Sequence, residues 1–351
     1  MQATRRALLT ASAALATSAT TRAMAAETPS VAHSKIALEE HFITPGLLPY
    51  FKSGKPSLAP DVLATVERRL FDFGEERLAQ MDAAGVAKSV LSITGPGVQV
   101  EPNTAKAQKL AAQANDALAR EIAKRPDRYG GFAHLAMQNP ASGADELERC
   151  VRQLGFQGAL INGPTNGVYL DDPSNDVFWE RLQALDVPLY LHPADSYRLP
   201  YVLEGAPDLT RATWEWTTDT STQALRLIVA GVFDRYPRLK VILGHAGETL
   251  PYVLWRLDSR YAFYLEEHPI KRPPSTYIQQ NFWVTMSGQF SAIPLQAAIA
   301  AMGVERVLFS IDYPYEVSAV AGQFMDNTPL AEDARARVAF GNAAALLRIA
   351  V

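Results

Sequence analysis

The stretch KIALEEHF, Lys35 to Phe42, begins as an apolar strand and ends in two carboxylates and an imidazole. Side chains alternate between the two faces of a strand, so Glu39 and His41 share one face and Glu40 takes the other. A single E-x-H pair decides nothing. It becomes informative because other apolar runs of this chain end in residues of the same kind.

Outward from that stretch, beyond residue 34, short apolar runs alternate with longer segments of helical period, the pattern of βα units. Eight runs read as strands: KIALEEHF, KSVLSITG, YGGFAHLA, QGALING, PLYLHP, KVILGHAG, FWVTMSG and RVLFSIDYP. Between them lie segments such as ERLAQMDAAG, ADELERCVRQLG and NDVFWERLQALD, with apolar residues at helical spacing and stops at Gly or Pro. Eight parallel strands with intervening helices close most economically into a (β/α)8 TIM barrel, for which 351 residues suffice. No internal linker, low-complexity run or short repeat argues for a second domain. Chemistry in such barrels sits at the C-terminal ends of the strands. Glu39 and His41 end the first strand, His192 the fifth, His245 the sixth and Asp312 the eighth.

Composition narrows the partners. A 48% apolar content supplies a large core and argues against disorder, and a net charge of −4 offers no basic field for nucleic acid or anionic lipid. A small molecule is the expected partner. Residues 1–26, with paired Arg5 and Arg6, a weakly hydrophobic Ala/Leu/Thr run and AMA before Ala26, read as a twin-arginine export signal. The expectation is a soluble periplasmic protein whose residues 27–351 form one catalytic domain. Cys150 is the only cysteine and is read as core packing, so no intrachain disulfide forms.

Glu39, His41, His192 and Asp312 make a mixed nitrogen and oxygen donor set, suited to Zn²⁺ or Mn²⁺ with positions left open for substrate. Taken singly each has a plainer reading: a surface charge, a loop histidine, a capping aspartate. His245, in LGHAGE, is a further ligand or, because a histidine's ordinary pKa lies near neutrality, a proton-transfer group beside the metal. Glu248 either orients that imidazole or caps the following helix. Arg256 either receives a substrate carboxylate or packs its stem on Trp255. His33, His268 and His134 read as ordinary, and Trp214 and Trp216 as roof or packing in the long connection after the fifth strand.

The motifs ALEEHF, RYGGFAHL, GALINGPTNGVYLDDP, YLHP, GHAGE and SIDYPYE run in order to the C-terminus. Together they resemble the amidohydrolase-related metal-dependent decarboxylases, most closely the γ-resorcylate and 2,3-dihydroxybenzoate branch. Aminocarboxymuconate-semialdehyde decarboxylase is a more distant likeness. The resemblance implies one divalent metal, Zn²⁺ with Mn²⁺ as the alternative, held by Glu39, His41, His192 and Asp312. It implies His245 as the nonligand catalytic histidine backed by Glu248, Arg256 as the substrate-orienting group, and a homodimer or homotetramer. Gln223 stands where those decarboxylases usually carry a histidine, and Tyr261 where they carry an asparagine, which bears on the ring substituents accepted.

The expected reaction is nonoxidative decarboxylation of an aromatic acid with an ortho hydroxyl. Its proton comes from Asp312 or is relayed through His245. Two alternatives share the site: hydrolysis of a lactone or amide, and a periplasmic aromatic-acid binding protein without turnover.

Overall fold

A parallel barrel requires the inner face of each strand to be apolar and the outer face to meet helices, and the two buried clusters of this chain divide in that way. The computed structural model describes residues 34–53, 58–263 and 270–349. Within them eight strands form one parallel sheet in sequential order: β1 Lys35–Phe42, β2 Val86–Ile93, β3 Tyr129–Ala133, β4 Gly158–Asn162, β5 Leu189–His192, β6 Val241–Leu243, β7 Phe282–Thr285 and β8 Val307–Leu308. Ile36, Leu38, Val90, Phe132, Leu160, Tyr190, Ile242 and Leu308 fill the interior, and Ala343, Ala344, Leu346 and Leu347 of the last helix join them. The outward-facing strand residues pack instead against the helices. The described residues belong to one compact unit.

The outer helices follow from local signals. Asn103 caps helix Thr104–Lys124 by accepting the Lys106 N–H at 2.9 Å. That helix buries Ala107, Ala111, Ala114 and Leu118, one stripe at helical spacing. Asn139 caps Pro140–Gln153 in the same manner, with proline in its first turn and Gly143, Ala144, Leu147 and Cys150 buried. Cys150 is therefore core packing, and burial pushes its thiol well above the ordinary range. At Gly231, whose φ of 69° is left-handed, the chain divides into helices Glu215–Val229 and Val232–Arg235. No helix among the described residues is long and apolar enough to cross a membrane.

Two irregularities position the site. Along β1 the pairing with β2 shifts between Ala37 and Glu40, where Ala37 faces Ser89 and Glu40 faces Leu91, so β1 carries one extra residue. Ser310 Oγ accepts the successive N–H groups of Leu38, at 3.0 Å, and Glu39, at 2.6 Å, which satisfies both amides. The second irregularity is the closure. Beyond β8 the chain continues alongside β1: Asp312 N–H donates to Glu39 O at 3.0 Å, and His41 N–H donates to Tyr313 O at 2.7 Å. The barrel thus closes through the residues that surround Asp312.

Candidate metal centre

The extra residue in β1 reverses the facing of the residues C-terminal to it. Leu38 lies in the interior core, Phe42 packs outward, and Glu39 and His41 line the interior mouth, wholly buried. Glu40 faces the other way, beside Arg77, Met81 and Tyr313. Burial pushes the Glu40 carboxyl up to about 8 against the opposing Ile311 N–H and Arg77. Arg77 Nη2 also donates to His41 O at 2.7 Å and so fixes the end of β1 from outside.

Each imidazole is held by its Nδ1. In His192 that atom lies 2.8 Å from Pro193 O, and in His41 it lies 3.3 Å from Ser92 Oγ. A carbonyl only accepts, so His192 Nδ1 carries the proton and Nε2 presents a lone pair. Asp312, at a left-handed φ of 80°, brings its carboxylate to the same point. One donor atom from each of Glu39, His41, His192 and Asp312 falls within 4.8 Å of all the others. His41 Nε2 stands 3.2 Å from Asp312 Oδ1, and His192 Nε2 3.2 Å from Glu39 Oε1. Yet the buried atoms Glu39 Oε1 and His41 Nε2 make no hydrogen bond. Buried polar atoms left unpaired are costly. Lone pairs of two carboxylates and two imidazoles converging on one point fit a divalent cation.

Beside this cluster a left-handed run, His245 at φ 51°, Ala246 at 59° and Glu248 at 58°, folds the chain back directly after β6. Gly247 in the same run has φ 76°, and a Cβ there would lie 2.6 Å from Val284, so only glycine fits. The turn sets His245 Nδ1 2.7 Å from Glu248 Oε1 and Nε2 3.6 Å from Glu39 Oε1 and 3.8 Å from Asp312 Oδ2. Burial opposes charge on His245, but Glu39, Glu248 and Asp312 outweigh it and hold its pKa well above the ordinary histidine value. Burial likewise opposes charge on Glu39, and the imidazoles of His245, His192 and His41 overcome it, so that carboxyl lies below its usual range. Glu248 Oε2 accepts from Thr217 Oγ1 at 2.8 Å, which fixes the dyad from behind.

Other residues singled out in the sequence fall elsewhere. Arg256 is exposed, midway along helix Leu250–Tyr261, and its guanidinium makes no ion pair or hydrogen bond to the cluster among the described residues. The helix turns that position to solvent, as it does the neighbouring Trp255, which is 85% exposed and offers Arg256 no buried packing surface. Gln223 is buried and donates to Asp219 at 2.5 Å, and Tyr261 OH accepts from Ile270 N–H at 3.3 Å. Trp216 Nε1 donates to Asp195 at 3.0 Å, whereas Trp214 is half-exposed. His134 follows β3, fully buried, and accepts the Val98 N–H at 3.0 Å, a structural role. His33 and His268 lie outside the described residues. Sequence reading missed the hydroxyls around Glu39, those of Tyr190, Thr285 and Ser287. Tyr190 precedes His192 by two residues and Ser287 follows Thr285 by two, so strand alternation was the signal available for both pairs.

An eight-stranded parallel barrel with these donors at the ends of its strands defines the class, and the chain belongs to the amidohydrolase family, whose model matches residues 41–349. Within it, the chain is 41% identical over 326 residues to the gamma-resorcylate decarboxylase of Rhizobium sp. (strain MTP-10005), which covers 90% of this chain and 98% of that protein. A solved 2,6-dihydroxybenzoate decarboxylase complexed with 2,6-dihydroxybenzoate superposes with a TM-score of 0.85 at 41% identity, over 90% of this chain and 100% of that one. A dihydroxybenzoic acid decarboxylase from Polaromonas sp. JS666, with bound manganese and the inhibitor 2-nitroresorcinol, gives 0.85 at 40% identity, over 90% and 97%.

Proposed function

We propose that this chain is a metal-dependent, nonoxidative decarboxylase of aromatic acids that carry a hydroxyl ortho to the carboxylate. The carrying observation is the convergence of Glu39, His41, His192 and Asp312 within 4.8 Å, with the His245–Glu248 dyad alongside. Those four residues would hold a divalent cation, which would supply Lewis acidity to the substrate oxygens. Zn²⁺ and Mn²⁺ both suit the donors, and the manganese in the Polaromonas structure supports Mn²⁺.

The remaining work belongs to the side chains. Glu248 holds His245 so that its Nε2 faces the cluster, and His245 keeps a proton 3.8 Å from Asp312 Oδ2. Delivered through Asp312 to the carboxyl-bearing ring carbon, that proton forms a C–H bond. The C–C bond to the carboxyl carbon then breaks, its electron pair returns to the ring, and CO₂ leaves. No electron is gained or lost, so no redox cofactor enters. Arg256, exposed on helix Leu250–Tyr261, is assigned the binding and orientation of the substrate carboxylate. Residues 1–26 export the chain to the periplasm, residues 27–351 are its one catalytic domain, and the enzyme assembles as a homodimer or homotetramer.

The test is metal analysis of the purified protein, followed by CO₂ release from the three monohydroxybenzoate isomers and their further hydroxylated forms. Turnover confined to ortho-hydroxy acids is expected, because only an ortho oxygen chelates together with the carboxylate. Arg256→Ala should raise KM. A metal-replete enzyme that releases no CO₂ but opens a lactone with uptake of solvent oxygen overturns the reading.

A further inference from the structure

The two oxygens of the Glu39 carboxylate have different surroundings. Oε1 faces the donor cluster and makes no hydrogen bond. Oε2 points into the barrel, where it accepts from Tyr190 OH and Ser287 Oγ and has Thr285 Oγ1 at 3.4 Å. A carboxylate only accepts, so both hydroxyl protons point at Oε2. Thr285 Oγ1 lies 2.8 Å from Tyr190 OH and 2.9 Å from Ser287 Oγ and, with both of their protons on Oε2, donates its single proton to one of the two. Ser287 Oγ also accepts the His245 N–H at 3.2 Å, which joins this network to the histidine. Tyr190, Thr285 and Ser287 are all fully buried, so water does not replace them. On a further side the carboxylate abuts Gly244, where a Cβ would stand 2.7 Å from Oε2.

We infer that Tyr190, Thr285 and Ser287 clamp Glu39 so that it offers the metal one oxygen only, which keeps two coordination positions free for a chelating substrate. This rests on the metal-dependent reading above. On a six-coordinate ion such as Mn²⁺, four single-atom donors would leave two sites, and a carboxylate with an ortho oxygen would need both. Were Glu39 to rotate and present both oxygens, one site would be lost. Rotation is opposed because it would strip two buried hydroxyls of a charged acceptor. Tyr190, Thr285 and Ser287 are positioning residues, acting through Glu39.

The test uses full-length protein loaded with Mn²⁺ and reads the number of exchangeable metal-bound waters by proton relaxation, together with the affinities of salicylate and benzoate. Wild type should show two waters and a preference for salicylate. The double variant Tyr190→Phe with Ser287→Ala should still bind Mn²⁺, show one water, and lose about tenfold in salicylate affinity with benzoate nearly unchanged. Ser287→Thr, which keeps the hydroxyl, should restore the wild-type pattern. If the double variant does not fold, Tyr190→Phe alone, which removes a single oxygen, should shift both readouts in the same direction. Two waters, or equal losses for salicylate and benzoate, overturn the clamp and leave the decarboxylase reading standing. A wild type with two waters that releases no CO₂ does the reverse.

Discussion

His245 Nδ1 lies 2.7 Å from Glu248 Oε1, three residues on in the same left-handed turn, while its Nε2 faces Glu39 and Asp312 at 3.6 and 3.8 Å. The carboxylate behind the ring therefore fixes both its orientation and which nitrogen meets the site. Glu248→Gln removes that charge and is expected to lower kcat by about 10- to 100-fold with metal content intact. It also lowers the His245 pKa, so the basic limb of the rate profile moves to lower pH. Glu248→Gln with an unmoved limb would show that the dyad does not hold the catalytic proton.

Ligands set metal affinity, whereas a neighbouring proton-transfer group sets the rate. His192→Ala and Asp312→Ala should lose bound metal and activity together. His245→Ala should keep the metal and lose roughly 10²- to 10⁴-fold in kcat. The check is metal content by mass spectrometry beside single-turnover rates, and an apo His245→Ala protein would make His245 a ligand.

His134 gives a pH dependence through its burial alone. Burial depresses its pKa from the usual 6.5 to about 3. Below the unfolded value the unfolded chain takes a proton that the folded chain refuses, so stability is fully present above that value and is lost as pH falls toward the folded one. The slope approaches about 1.4 kcal/mol per pH unit. His134→Gln, which keeps an acceptor for the Val98 N–H, should flatten the dependence of unfolding free energy on pH across that interval. An unchanged slope would mean that another group carries it.

Arg5→Lys combined with Arg6→Lys should leave the precursor in the cytoplasm, because the twin-arginine route reads that pair. Residues 1–26 lie outside the described residues, and fractionation followed by N-terminal sequencing is the measurement. Export undiminished in the double variant would remove the localisation.

Much of the barrel was legible because a βα unit is local. YLHP, GHAGE and SIDYPYE each carry strand, turn and candidate side chain within a few residues, and placing the chemistry at strand ends was enough to single out Glu39, His41, His192, His245 and Asp312, which the fold brings together. Gln223 and Arg256 were less legible. Whether a helical position faces core, site or solvent depends on what packs against the helix, and the structure buries Gln223 against Asp219 while it leaves Arg256 exposed.

Alternation along KIALEEHF correctly puts Glu39 and His41 on one face, but carried back along the strand it turns Ile36 and Leu38 away from them. In the folded chain Ile36 and Leu38 fill the barrel interior, and Glu39 and His41 still face the mouth above them. The extra residue in β1 makes both possible, and it is held by the Ser310 hydroxyl, 271 positions from Glu39 in the chain. The Tyr190, Thr285 and Ser287 contacts to Glu39 are of the same kind, spanning 151, 246 and 248 positions. The sequence determined which residue types end which strands, because a strand and the turn after it are short-range events. Tertiary structure decided which carboxylate oxygen faces the donor cluster, because that depends on hydroxyls brought together only when the barrel closes.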